Sequence, residues 1–240
     1  MGRALFRYRV AVIAAFFAAA VLAAYGYAKH PELVPASASS LAASFTELTS
    51  HELAFAVCGA LSVLAFLIRA AGEARLGSVV YGQDAGTRVV SSGPFRFSRN
   101  PLYLGVLLFF VATVGPYLAP LLIAALTVGL TLTLRSIAIY EEGTLVTALG
   151  APYQRYLAIV PRFLGLRRAN DSAAAVDDDG IRVTGRAWLY AIAGNLGLFT
   201  LGLYRLLDAA GVSFRGMKLL NVTLFALWIA IVLVRRVLAK

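Results

Sequence analysis

A single cysteine, Cys58, excludes an intramolecular disulfide and a thiolate metal cluster. Histidine is almost as scarce. His30 and His51 have neither paired spacing nor cysteine neighbours, so they read as helix-end or surface residues and no metal is expected. Only 14% of the residues are Asp, Glu, Lys or Arg, against about a quarter in a soluble domain, which argues against an ordinary water-soluble fold. A Gly-x-Gly-x-x-Gly turn, a Walker sequence and an internal repeat are all missing, so a soluble nucleotide-binding domain has no support. Asp177, Asp178 and Asp179 stand side by side without the alternate spacing and closing Glu of a calcium loop. Gly82 and Gly86 have the spacing of a helix-dimer motif, but in a polar stretch.

What is abundant is apolar sequence: 60% of the residues are hydrophobic. They gather into runs at 10–27, 51–71, 101–117, 118–140, 187–207 and 217–237, each near the roughly 17 to 25 residues that cross a bilayer as a helix. The expected fold is all-α: a polytopic membrane helix bundle of about six transmembrane helices. Four units follow: N-terminal helices and a loop over 1–90, a core over 91–166, a linker over 167–186 and a C-terminal hairpin over 187–240. The Ala- and Ser-rich stretch 35–49 reads as an extracytoplasmic connection. The N-terminus also resembles a secretory signal, with three Arg, an apolar run and Gly26, Tyr27 and Ala28. Its run is longer than the roughly 7–15 residues of such a signal, so an uncleaved helix is expected.

The net charge is +10, yet the basic residues flank apolar runs instead of forming a patch for nucleic acid, and no nucleic-acid partner is expected. Arg3, Arg7 and Arg9 precede the first run, and Arg69, Arg75, Arg88, Arg96 and Arg99 lie between the second and third. Arg155, Arg162, Arg167, Arg168, Arg182 and Arg186 follow the fourth, and Arg235, Arg236 and Lys240 close the chain. With six spans all four clusters share one side, which puts both termini in the cytoplasm of a bacterial-type inner membrane. Arg205, Arg215 and Lys218, near the turn between the last two runs, go against this pattern.

The chemistry concentrates around the third and fourth runs. Asn100 is a favoured N-cap type and Pro101 suits a first helical position, so a helix is predicted to begin there. Its free amides, beside Arg96 and Arg99, favour an anion. Tyr103 offers a ring and a hydroxyl in the first turns, and Gly105 offers room for close approach. Glu141 and Glu142 fall near the expected end of the fourth helix, where dipole and hydrocarbon both disfavour negative charge, so they call for cationic partners. Arg135 shares the face of Glu142 two turns earlier. The two acids point about 100° apart and can line one pocket only if it wraps the helix. Because both arms of the hairpin cross the membrane, its ends meet at one face, and a zwitterion with a carboxylate, an ammonium and a sulfonium fits there. Tyr153, Tyr156, Leu157 and Val160 recur at helical spacing with Arg155 and Arg162 at the margin, as in an interfacial amphipathic helix walling a lipid-access slot.

In these residues the chain resembles the isoprenylcysteine carboxyl methyltransferase and phospholipid methyltransferase family. The resemblance rests on Gly93, Pro94, Phe95, Arg96 and Phe97; on Arg99, Asn100, Pro101, Tyr103 and Gly105; on Glu141 and Glu142; and on Gly150, Tyr153, Tyr156, Val160, Pro161, Arg162 and Phe163. It implies S-adenosylmethionine (SAM) as cofactor, bound from the cytoplasm, and methyl transfer to a lipophilic acceptor from the bilayer, foremost a carboxylate of isoprenylcysteine type. It assigns Gly93, Pro94, Arg96, Arg99, Asn100, Tyr103, Glu141 and Glu142 to SAM, Tyr153, Tyr156 and Arg162 to the acceptor, and catalysis to Arg99, Glu142 and Arg162. Asn100 departs from the His of the eukaryotic carboxyl methyltransferases; it can donate and accept hydrogen bonds but cannot act as a base. Phospholipid amines and thiols remain alternative acceptors, and membrane lipids are the expected surroundings. Sterol reductases using NADPH resemble the same region, and a scaffold or transporter is the non-enzymatic alternative. The latter would carry ionisable groups at the bilayer midplane.

Overall fold

The computed structural model describes residues 2–30, 51–80, 88–164 and 182–212. Within them the chain is helical and contains no strand. Helices α1 (Gly2–Arg7) and α2 (Arg9–Lys29) meet at Tyr8. They are followed by α3 (His51–Val80), a 3-10 turn (Gly93–Arg96), α4 (Pro101–Val114), α5 (Pro120–Leu149), α6 (Ala151–Ile159) and α7 (Gly185–Ala209). Proline occupies one of the first two positions of α4, α5 and α6. There a missing N–H costs nothing and the fixed φ is already helical. Thr184 caps α7, its side chain accepting from the Ala187 amide at 3.2 Å.

Among the described residues four helices are long and apolar enough to cross a membrane, within Arg9–Gly26, Glu52–Gly77, Pro120–Leu149 and Gly185–Ala209. The run at 101–117 forms a helix of only 14 residues, about 21 Å at 1.5 Å per residue and short of a hydrocarbon core of about 30 Å. It stops at Val114, and a turn leads to Pro120. The sixth expected span at 217–237, the stretch 35–49 and most of the linker 167–186 lie outside the described residues.

α4 sits between two packing partners. On one side α2, α4 and α5 share a core of Ala20, Phe110, Val114, Leu118, Leu130, Leu134 and Ile137, with Phe17 edge-on to Phe110 at 5.1 Å. On the other side lies α3, with α7 packed along it. The α3–α7 crossing is close because small residues face each other. A Cβ on Gly202 would stand 2.9 Å from the Gly59 carbonyl oxygen, and the Ser62 hydroxyl donates to the Leu198 carbonyl at 2.7 Å. Leu22, Leu67, Leu121 and Leu189 are all more than half exposed, so the outward faces are apolar, as lipid contact requires.

Three expectations from the charge pattern change. α3 continues to Val80, so Arg69 and Arg75 belong to a helix and not to a loop. α5 continues to Leu149, so Glu141 and Glu142 lie about two turns before its end and the dipole argument does not apply to them. Arg205 is 1% exposed inside α7, where Nη2 donates to the Thr113 carbonyl at 2.9 Å and the guanidinium lies over the Phe55 and Tyr117 rings. It caps the C-terminal end of α4 from within the bundle and does not act as a topological charge at the turn.

Candidate active site

Two segments far apart in sequence are clasped at one end of the bundle. The Arg99 amide donates to the Pro161 carbonyl at 2.9 Å and the Asn100 amide to the Arg162 carbonyl at 3.2 Å. The Ser98 hydroxyl, almost fully buried, donates to the same Arg162 carbonyl at 3.3 Å. This clasp brings the residues before α4 against those after α6, with α5 between them.

α4 does start at Pro101, but Asn100 does not cap it with its side chain. The Asn100 amide nitrogen instead donates to Glu142 Oε1 at 3.2 Å and to the Arg162 carbonyl at 3.1 Å. These two bonds, one of them to a buried charged acceptor, fix the side chain in an orientation in which its oxygen makes no capping bond to the first turn of α4.

Glu142 is the centre of the cluster and is 6% exposed. Arg162 forks onto it, with Nε at 3.1 Å from Oε1 and Nη2 at 2.9 Å from Oε2. Arg99 Nη1 stands 3.6 Å from Oε2 and donates to the Leu157 carbonyl at 3.3 Å, while Arg99 Nε is buried with no protein partner. The hydrogen bonds to Glu142 push the Arg162 pKa above its already high ordinary value. Two guanidiniums around one carboxylate leave a local excess of one positive charge. Arg135 takes no part, because it points outward from α5 and is exposed.

Glu141 and Glu142 do not share a pocket. Glu141 hydrogen-bonds the Tyr103 side chain on the other side of α5, and the Arg9 charge acts on both groups. Arg9 comes from the α1–α2 junction, where it lies 4.2 Å over the Phe6 ring and donates to the Phe6 carbonyl at 3.2 Å. The Phe6 ring in turn meets that of Tyr140 at 5.4 Å. Sequence reasoning missed this role for Arg9, which it counted only among the charges before the first run.

The remaining residues support the cluster from behind. Gly93, at φ +59°, and Pro94 open the 3-10 turn; this left-handed backbone suits glycine. Arg96 is exposed at its end. The Tyr156 hydroxyl donates to the Phe95 carbonyl at 2.7 Å, tying α6 to this turn. Tyr153 and Tyr156 are both buried with Val160 against Val89, Val146 and Leu149. Burial, reinforced by the Glu142 charge, pushes the Tyr153 phenol up to about 12.

A second polar cluster joins α3, α7 and α4, and sequence reasoning did not find it. Arg69 Nε donates to Asn195 Oδ1 at 2.8 Å, Nη2 to Glu73 Oε1 at 2.6 Å and Nη1 to the Leu102 carbonyl at 3.0 Å. Asn195 Nδ2 donates to Glu73 Oε2 at 3.0 Å. Gly105 does permit a close approach, but by the Arg69 stem, into which a Cβ at 105 would run. Among the described residues no three His, Cys, Asp or Glu side chains converge on a metal position.

Apolar helices with outward hydrophobic faces and a charged cluster at one end define a polytopic integral membrane protein. Residues 53–151 match the family model described as phospholipid methyltransferase. The match covers α3, the 3-10 turn, α4 and α5 and ends at the first residue of α6, so Tyr153, Tyr156, Arg162 and α7 lie beyond it. No curated protein and no solved structure matches the chain.

Proposed function

We propose that this protein transfers a methyl group from SAM to a lipophilic acceptor at the cytoplasmic face of the membrane. The observation that carries the proposal is Glu142, buried between the Arg162 fork, Arg99 and Asn100 at the end of a lipid-facing bundle. The alternation of guanidinium, carboxylate and amide suits the zwitterionic amino-acid end of SAM. The unpartnered Arg99 Nε is an orphan donor of the kind an anionic group would satisfy. When bound, SAM supplies a methyl group made electrophilic by its sulfonium. Arg99, Asn100, Glu142 and Arg162 hold and orient the reactants, and the surrounding apolar helices exclude water.

The acceptor we favour is a carboxylate of isoprenylcysteine type. Glu142 is occupied by donors from Arg162 and Asn100, leaving it ill placed to take a proton. A carboxylate needs no base: its oxygen forms the new bond to the methyl carbon as the sulfur–methyl bond breaks, and both charges are neutralised. A phospholipid amine is the second reading, supported by the family description and by Glu141, whose only described side-chain hydrogen bond is to Tyr103.

Lipid extract and purified protein incubated with methyl-labelled SAM test both readings. Label released by alkali as methanol marks an ester, whereas label that stays on the lipid marks an amine or thiol. Normal SAM affinity by calorimetry in both Glu142→Gln and Arg99→Ala would sink this placement of the donor, and binding of NADPH in place of SAM would sink the methyl-transfer reading itself.

A further inference from the structure

We infer that Asn195, on α7 and outside the matched family stretch, is a positioning residue for the active site. It acts through Arg69 on the first turn of α4. Asn195 is 1% exposed, and its oxygen accepts from Arg69 Nε while its nitrogen donates to Glu73 Oε2 and to the Ala191 carbonyl at 2.9 Å. With Glu73 on the second edge, the Arg69 guanidinium has one orientation, in which Nη1 meets the Leu102 carbonyl. Leu102 stands between Asn100, which holds Glu142, and Tyr103, which holds Glu141. Gly105 lets α4 lie directly against the Arg69 stem. The clamp therefore sets where both acid-binding residues are presented.

The helix crossing alone does not need this clamp. Gly59, Gly202 and the Ser62 hydroxyl already hold α3 on α7, and burying an arginine, a glutamate and an amide costs desolvation that apolar packing would avoid. What the polar triad adds is direction: a planar guanidinium with each edge occupied cannot swing, and its remaining donor fixes a backbone atom.

The test compares Asn195→Ala with Ser62→Ala, which removes an α3–α7 hydrogen bond without touching α4. The readouts are hydrogen–deuterium exchange of residues 98–104, the thermal midpoint in detergent and steady-state methyl transfer. Asn195→Ala is expected to speed exchange over 98–104 and to lower kcat about ten-fold or more, and to lower the midpoint as well, because Arg69 and Glu73 each lose a partner. Ser62→Ala is expected to lose midpoint only. The double variant Glu73→Gln, Asn195→Asp moves the carboxylate across the clamp and is expected to restore kcat and exchange protection in part relative to each single change, because Asp still accepts from Arg69 but cannot donate to the Ala191 carbonyl. Unchanged exchange over 98–104 in Asn195→Ala would overturn the inference, as would a folded double variant that restores neither property. The activity arm rests on the methyltransferase reading. Wild-type protein that transfers no methyl group, with the exchange result as expected, would refute that reading and leave the placement of α4 by Asn195 standing.

Discussion

Arg162 and Glu142 form a two-pronged ion pair, Nη2 to Oε2 at 2.9 Å and Nε to Oε1 at 3.1 Å, between the segment after α6 and the buried face of α5. The Arg162 carbonyl accepts at the same time from the backbone and side chain of Asn100. One residue thus ties both motif segments to the central carboxylate.

Replacing the fork by a point charge tests whether its geometry matters. Arg162→Lys keeps the charge but loses the parallel pair of donors. A fall in kcat/KM of about ten-fold is expected, with Arg162→Ala falling further. Steady-state assays with labelled SAM give the ratio, and equal activity in the lysine variant would show that charge alone suffices.

Tyr156 holds the 3-10 turn through the Phe95 carbonyl. Tyr156→Phe leaves that buried carbonyl unpaired and is expected to cost about 1–3 kcal/mol of stability. Thermal unfolding in detergent reads the loss. Activity well below the midpoint is expected to survive, because the hydroxyl faces the turn.

Alkaline pH should destabilise the fold partly through Tyr153. Its phenol is raised from an ordinary 10.0 to about 12, so the folded state holds its proton after the unfolded chain has lost it. The stabilisation is complete below about pH 10 and is lost as pH rises towards 12. Tyr153→Phe is expected to flatten that part of the stability curve, measured as the midpoint against pH.

The α3–α7 crossing depends on Gly202. Gly202→Ala places a Cβ 2.8 Å from Val63 Cγ2 and 2.9 Å from the Gly59 carbonyl oxygen, and separating the helices is expected to cost about 1–3 kcal/mol. Gly26→Ala, where nothing lies within 4 Å, is the control. There the better helix propensity of alanine should leave the midpoint level or slightly higher.

Much of this was legible in the sequence where the cause is local. The start of α4 at Pro101 followed from a proline whose φ is already helical, and the long apolar runs followed from bilayer thickness. The reading failed where an outcome depended on what a helix continues into. α5 runs past Glu142 to Leu149 because Thr144, Leu145, Val146 and Thr147 leave the helix intact until Gly150. Asn100 has the chemistry of a cap, yet its side-chain nitrogen donates to Glu142 and to the Arg162 carbonyl, and in that orientation its oxygen does not cap α4.

The sequence by itself determined that the chain is apolar enough to span a membrane and that its charged chemistry flanks the third and fourth runs. Helical periodicity fixes which face a residue occupies. It does not say what stands opposite. Only the tertiary structure decided that Glu142 pairs with Arg162 and not Arg135, that Glu141 turns to Tyr103, and that Arg69 and Arg205, counted among the charges near the ends of the runs, are held inside the bundle by Asn195 and Thr113. Each of those choices joins separate helices or segments, where burial makes an unpaired charge or amide too costly to leave and the nearest available partner takes it.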